Sequence, residues 1–543
     1  MSVIRFLAGG RGVPRIWGPP ALALLITGCV SPDSVRARGN RARPLPPRVR
    51  PDAATLDRFA RTDDNMGKSA VAIIAAPAEI EEQPAVPRQA LTFDDVMRSV
   101  ETQFPLILAA LQEVDIANAE LLRAEGGFDA AVKGDGQVSP QGFYENEQGK
   151  LVLEQPTTAW GATPFVGYKI GSGDFPVWEG GLQSNEEGEF AAGVRVPLLK
   201  GREIDQRRVE LWKARIGQAQ ADPIILQKRL EATRKAAFSY WKWVAAGQKL
   251  SIARRLLQLA DSRTEGIAIK VEEGDLAPLA ITENQRLVVD RESIVIRSVR
   301  ALQEAAIGLS LFWRGADGQP VVPTEAQLPE ALPTPGNPDL FISDADLEVA
   351  LRNRPEVRQF ELAMEQVQLD IAKAENDLLP KLDLTVAGSQ DIGDAVSTPD
   401  DKGPFELDIL LGFDVPVQRR AASGKLLALD AKLRQAQRKM QFARESIIAE
   451  VQDGQSAVRQ TWLRLAKVRE NAALAGQIEE AERVFLEEGQ SDLLRVNLRE
   501  QTTASAASIL VDVIAEHFRA VADYRASLGL PYDEVLRGAD GND

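Results

Sequence analysis

Residues able to do covalent or metal chemistry are nearly absent from this chain. It has one cysteine, Cys29, and one histidine, His517. One thiol cannot form an intrachain disulfide, and a site built on several His or Cys ligands is excluded. The histidine has no place in a nucleophilic triad, and there is neither a Walker lysine loop nor a G-x-G-x-x-G after a strand. Carboxylate-only sites for hard cations remain open, although no D-x-D-x-D-G spacing occurs. The net charge of −15 argues against nucleic-acid binding, which demands a basic face. His517 lies in a helical pattern and reads as a packed or exposed residue. The chemistry left over is done to the chain. Cys29 directly follows the small residues Thr27 and Gly28, after the basic Arg5, Arg11 and Arg15 and the apolar run Ala21–Ile26.

That order resembles a bacterial lipoprotein signal, in which the cysteine sulfur is acylated and becomes the first mature residue. Ile26 stands where that family usually has leucine, and Gly18-Pro19-Pro20 interrupts the apolar approach. The apolar run is too short to span a bilayer as a permanent helix. A plain secretory signal with an incidental cysteine is the alternative. From residue 31 to about 90, Pro44, Pro46, Pro47, Pro51, Pro77, Pro84 and Pro87 forbid long regular elements, so this stretch reads as a linker. Its front half is basic, with Arg36, Arg38, Arg41, Arg43, Arg48 and Arg50, which suits either a solvated tether or contact with anionic headgroups.

The elements that must position any functional residue come in duplicate. Val96, Val100 and Pro105 lead into an Ala/Leu/Glu/Gln helix over 106–124; Leu347, Leu351 and Pro355 lead into another over 357–379. Val194-Arg-Val-Pro197 matches Asp414-Val-Pro416, and Tyr240-Trp241 matches Thr461-Trp462. Val271-Glu-Glu-Gly274 matches Leu486-Glu-Glu-Gly489, and Ile307-Gly-Leu309 matches Leu528-Gly-Leu530. The order is kept while one loop differs in length, which is the mark of an internal repeat. Hydrophobic residues are 44% of the chain and aromatics only 6%, a balance suited to extended helices rather than a compact α/β enzyme.

Two very long helical stretches are expected, 202–271 and 419–488, with apolar stripes such as Leu226, Leu230, Ala237, Trp241 and Val244, or Ile447, Val451, Val458, Trp462 and Leu465. Gly217 and Pro223 predict a kink or break in the first. Shorter helices return over 279–311 and 493–528, so each repeat is a hairpin with a glycine at its tip. Four segments alternate with period two: 128–138, 189–198, 381–390 and 405–415. Such strands suit either a sheet packed on a soluble core or a membrane barrel, apolar to lipid and polar to its lumen. Four strands cannot close a barrel alone, so the barrel reading requires several chains.

With these features the chain resembles the TolC-like outer-membrane efflux family in its lipid-anchored form, from about Leu91 to Pro531. The carriers are the duplication, the junctions Val196-Pro-Leu-Leu-Lys-Gly201 and Val415-Pro416, and the turns Glu273-Gly-Asp-Leu276 and Glu488-Gly-Gln490. The resemblance implies a mainly α fold with a small antiparallel β part. Long hairpins would form a periplasmic α-barrel, and four strands per chain would join a trimeric transmembrane β-barrel. It implies a homotrimer in the outer membrane of a Gram-negative bacterium, docked on a periplasmic adaptor and an inner-membrane pump. No enzymatic activity, cofactor or metal is implied. The positions matching the adaptor-contacting tips are Gly274, Asp275, Leu276, Gly489, Gln490 and Leu493. Where the family prototype narrows its closed end with aspartates, this chain has Arg495 and Leu498, so an acidic gate does not carry over. Asp492 and Glu500 are near and receive no ligand role.

The expected organisation is a signal peptide (1–28), a Pro/Arg-rich linker (29–90), a first repeat (91–313), an inter-repeat linker (314–342), a second repeat (343–531) and a tail (532–543). The segment from Ser139 to Glu187, with Trp160, Phe165, Tyr168 and Trp178 among glycines and prolines, is either an extracellular loop or an additional hairpin folded against the barrel mouth. Two rivals to an exit duct remain. A periplasmic adaptor lipoprotein would have one central hairpin, and a structural coiled-coil lipoprotein would need no alternating strands.

Overall fold

A computed structural model describes residues 90–175, 184–394 and 405–531, all within the unit Pro87–Asp543. The signal segment, Cys29, the linker up to residue 89 and the tail lie outside the described residues, as does Trp178. The element order runs twice. The first half has α1 (Phe93–Gln103), α2 (Pro105–Glu125), four strands β1–β4, α3 (Gln206–Asp261), α4 (Thr264–Glu272) and α5 (Leu279–Ser310). The second has α6 (Asp346–Asn353), α7 (Pro355–Asn376), strands β5 and β6, α8 (Arg420–Glu487) and α9 (Leu493–Ser527).

Local chemistry sets the boundaries. Thr92 and Asp95 form a reciprocal capping box at the start of α1. Pro105 and Pro355 each open a helix, where a missing N–H costs nothing and the fixed φ already suits the turn. Asp205 caps α3 through the Arg208 amide at 2.9 Å, and Asp492 caps α9 through the Arg495 amide at 2.9 Å. At 68 residues, α8 reaches about 100 Å. Of the kink or break expected at Gly217 and Pro223, the break does not occur: α3 continues through both as one 56-residue helix. Neighbouring helices bury Pro223, so packing offsets the one lost backbone bond. The interruption falls instead at Ser262-Arg263, where the Arg263 amide bonds back to the Ala260 carbonyl in a tighter turn.

Each repeat builds its own core where its short leading helix meets its long one. In the first, Val96, Met97 and Val100 of α1 pack with Trp243, Val244 and Leu309. Trp241 stacks on Phe518 of α9 at 4.3 Å between centroids, which joins the second hairpin to this core. In the second, Ala350 and Val357 pack with Ile447, Val451, Val458 and Tyr524. The helices α8 and α9 come close at Gly454, where an added Cβ would lie 3.1 Å from the Tyr524 Cα.

All described strands form one antiparallel sheet in simple sequence order: β1 (Ala131–Ser139), β2 (Asn146–Glu154), β3 (Thr163–Gly173), β4 (Glu189–Pro197), β5 (Lys381–Asp391) and β6 (Glu406–Asp414). The sheet thus has six strands, not the expected four. The additional pair comes from the segment after Ser139, which forms a hairpin inside the sheet rather than against its mouth. β2 pairs with β1, and β3 pairs with β4. Gly149, Gly167 and Gly171 dilute the side-chain alternation of β2 and β3, and Pro164 sits near the start of β3, so their period-two signal is weak.

Gly454 and Gly476 of α8 should respond oppositely to substitution. Gly454→Val forces a branched side chain into the Tyr524 backbone and should destabilise by about 1–3 kcal/mol. Gly476 faces open space, so Gly476→Ala should stabilise by up to about 1 kcal/mol through helix propensity. Thermal unfolding of the two variants checks the contrast.

Candidate channel wall and hairpin tips

The strand registers sort every side chain of the sheet onto one of two faces. One face carries Lys133, Asp135, Gln137, Gln148, Lys150, Glu154, Thr163, Lys169, Glu189, Arg195, Asp383, Thr385, Ser389, Glu406, Asp408 and Asp414. The other carries Val132, Val138, Leu151, Leu153, Val166, Ile170, Phe190, Val194, Val196, Leu382, Leu384, Val386, Leu407, Ile409, Leu411 and Phe413. Exceptions on the apolar face, Glu147, Ser172 and Gln390, sit toward the rim far from the helices, and the polar face also carries Val152, Phe165 and Leu410. The polar face is laced by Lys169–Glu189 at 2.7 Å and by a Lys133–Glu154 pair.

Among the described residues nothing covers the apolar face. Val132 is 71% exposed and Phe413 80%. Covering one large apolar side chain is worth roughly 1.5–3 kcal/mol, so a face this extensive is stable only against lipid or protein. No described helix is long and apolar enough to cross a membrane. The strands, nine to eleven residues long, would tilt into a band about 25 Å tall, which matches the apolar belt of a membrane barrel.

At the helical end of the sheet the turn between β2 and β3 carries Trp160 and Gly161, both at positive φ. The turn lies against the junction after β4, where a Cβ on Gly161 would collide with the Gly201 carbonyl. Arg208, buried, donates to the Arg202 carbonyl at 2.9 Å and to the Gly201 carbonyl, and so clamps that junction. The Gly201 amide donates to Asn376 at the end of α7 at 2.8 Å, which ties the two repeats together. Among the described residues no contact of this kind covers the junction after β6, where Val417 is 95% exposed.

At the opposite end the two hairpin tips share one backbone geometry. The Asp275 amide donates to the Lys270 carbonyl at 2.9 Å and the Gly274 amide to Val271 at 3.2 Å. The Gln490 amide donates to Phe485 at 2.8 Å and the Gly489 amide to Leu486 at 3.1 Å. This is the Schellman pattern, and it needs the left-handed glycines Gly274 (φ 84°) and Gly489 (φ 74°). Gly274, Asp275, Gly489 and Gln490 are exposed, while Leu276 and Leu493 are half-buried. Arg495 and Leu498 lie together on an exposed face of α9.

Behind the tips, Glu500 of α9 has a side chain 0% exposed and is ringed by arginines from three other segments. Arg263 donates to it at the break between α3 and α4, with a second bond at 3.1 Å. Arg291 of α5 donates at 3.0 Å, and Arg483 of α8 stands at 3.6 Å. Asn497, the Leu256 carbonyl and Glu479 satisfy remaining guanidinium donors. Burial pushes the Glu500 carboxyl upward, but the bonds and charges of Arg263 and Arg291 outweigh it and hold the group below its ordinary 4.5. The cluster fastens the first hairpin to the second. The spacing of charges along the chain gave no sign of it. His517 is also buried, with Nδ1 at 3.1 Å from the Thr461 hydroxyl and aromatic rings around it, so it is a packing residue. Burial lowers its pKa. No cluster of three or more metal-ligating side chains occurs among the described residues.

Replacing the carboxylate by Glu500→Gln leaves guanidinium groups facing one another and should cost about 3–5 kcal/mol, read as a lower thermal midpoint. The sign with pH follows from the depressed pKa. The stabilisation is complete above about pH 4.5 and is lost as the pH falls through the depressed value. Glu500→Gln should therefore lack that acid-induced loss.

No family model matches the sequence, and no curated protein matches it. Solved structures do. The outer-membrane channel OprN superposes with a TM-score of 0.60 at 14% identity, over 80% of this chain and 89% of that one. The open state of the Neisseria gonorrhoeae MtrE outer-membrane channel gives 0.57 at 14% identity, over 84% and 96%. CusC, described by its transmembrane channel formation, gives 0.56 at 13% identity, over 84% and 98%. The chain thus has the TolC-like fold of outer-membrane channel proteins.

Proposed function

We propose that this protein is the outer-membrane exit duct of a tripartite efflux or type I secretion system, a passive conduit working as a homotrimer. The observation that carries the reading is the sheet, with one continuous apolar face left bare and one polar face that suits a wet lumen. The long hairpins would extend the conduit through the periplasm. Tandem hairpins, each with its own strands, fit poorly with an adaptor built on one central hairpin. A purely structural coiled-coil lipoprotein leaves the two-faced sheet without a purpose. In this reading Cys29 is acylated and anchors the mature chain to the outer membrane. The exposed tips at Gly274, Asp275, Leu276, Gly489, Gln490 and Leu493 meet a periplasmic adaptor, itself coupled to an inner-membrane pump. Arg495 and Leu498 of three chains ring the periplasmic constriction, so its charge is basic rather than acidic.

Purified protein in a planar bilayer should conduct, at the subunit number of a crosslinked trimer. A monomer that leaves the bilayer insulating even when the tips are loosened by Glu500→Gln would contradict the duct. Under a salt gradient, Arg495→Glu should move the reversal potential toward cation preference; an unchanged potential would remove Arg495 from the constriction. Mass spectrometry of the mature N-terminus should find an acylated Cys29, and an unmodified Cys29 would contradict the anchor.

A further inference from the structure

Among the described residues the sheet ends in two open edges, β1 and β6. Backbone groups left unpaired in lipid cost several kcal/mol each, so a membrane wall has no free edge. The duplication indicates how the edges close. Within the chain, the last strand of the first repeat, β4, pairs with the first strand of the second, β5. By the same relation, β6 should pair with β1 of the next copy. Pro105 and Pro355 open equivalent helices, and Val196-Pro197 and Val415-Pro416 are equivalent junctions. Carrying the observed pair Pro197 and Asp383 across this equivalence sets Pro416 opposite Lys133. Gly412 then faces Gln137, and Leu411 faces Val138. This register keeps polar residues opposite polar-face positions and apolar opposite apolar, a parity that a slip by one residue would destroy. It also covers the junction after β6, the one that stays bare in a single copy.

From this we infer that a second copy of the chain completes the sheet edge in that register, and that the closed wall of the trimer has eighteen strands. The inference rests on the trimeric duct reading. β2 and β3 belong to the wall because they lie between β1 and β4 in the hydrogen-bonded order, with Lys150 and Lys169 on the polar face and Leu151, Leu153, Val166 and Ile170 on the apolar one. At about 4.8 Å between strands and about 40° of tilt, eighteen strands enclose a backbone diameter of about 36 Å, against about 24 Å for twelve. The helical part keeps two hairpins per chain, so the widening is confined to the membrane. The outer portal is therefore broader than the tunnel below it, and size selection belongs to the periplasmic end.

Two cysteine pairs in the full-length, lipid-reconstituted protein test this. Gln137→Cys with Gly412→Cys should give a covalent trimer under mild oxidation. Asp135→Cys with Ala191→Cys should not close within a chain, because two strands separate these positions and hold them about 14 Å apart. In a wall lacking β2 and β3 the second pair would lie on adjacent strands. Rapid intrachain closure of that pair in conducting protein would overturn the eighteen-strand wall and leave the duct intact. Absence of the covalent trimer from the first pair in conducting protein would overturn the proposed edge pairing. Loss of both trimer and conductance in the unsubstituted protein would instead remove the duct reading itself.

Discussion

The described residues alone do not satisfy the sheet, and the rest of the architecture depends on that constraint. Its apolar face has no cover among the described residues, and its first and last strands present unpaired backbone. In water the face would drive aggregation, and in lipid the edges would be intolerable. Association of copies edge to edge, within a bilayer, removes both faults together. In the proposed trimer the polar face would then turn inward and be wet, which would make a conduit out of what would otherwise be a liability.

Duplication makes this closure geometrically simple. The contact between β4 and β5 inside one chain is a working example of the contact needed between chains, since the same strand-to-helix junctions flank both. The duplication is imperfect where it matters for size. The first repeat contributes four strands and the second two, so in the proposed trimer the wall would grow while the helical tunnel would not. At the far end the repeats are joined differently, by one buried carboxylate held among three arginines. Such a cluster contributes little net stability when intact and costs much when broken, so it suits a fixed relation between two hairpins better than general adhesion.

Much of this was legible in the residues. The paired prolines, the V-P junctions and the two E-E-G turns gave the repeat, the long hairpins and the tips, because helix period and left-handed glycine are local signals. Four strands were readable for the same reason. β2 and β3 were not, because a glycine erases the apolar mark at Gly149, Val152 and Phe165 lie on the polar face, and β2 starts with the polar run Asn146-Glu-Gln148. Their membership in the sheet comes from pairing with β1 and β4, which is tertiary information. Pro223 does not end α3, since burial of the residue offsets the local penalty. The Glu500 cluster joins residues more than two hundred positions apart, and no spacing rule connects Arg263 or Arg291 to it. Arg495 and Leu498 were identified by resemblance, and their exposure is what the fold adds.

The central claim is that the two-faced sheet is a membrane wall. It is tested most directly by a spin-label scan of β6, from Glu406 to Asp414, in the unlabelled-background trimer reconstituted in liposomes. Accessibility to oxygen dissolved in lipid should peak at 407, 409, 411 and 413, and accessibility to a water-soluble nickel complex at 406, 408, 410, 412 and 414. Odd positions closed to both probes would place the apolar face against protein and contradict the account.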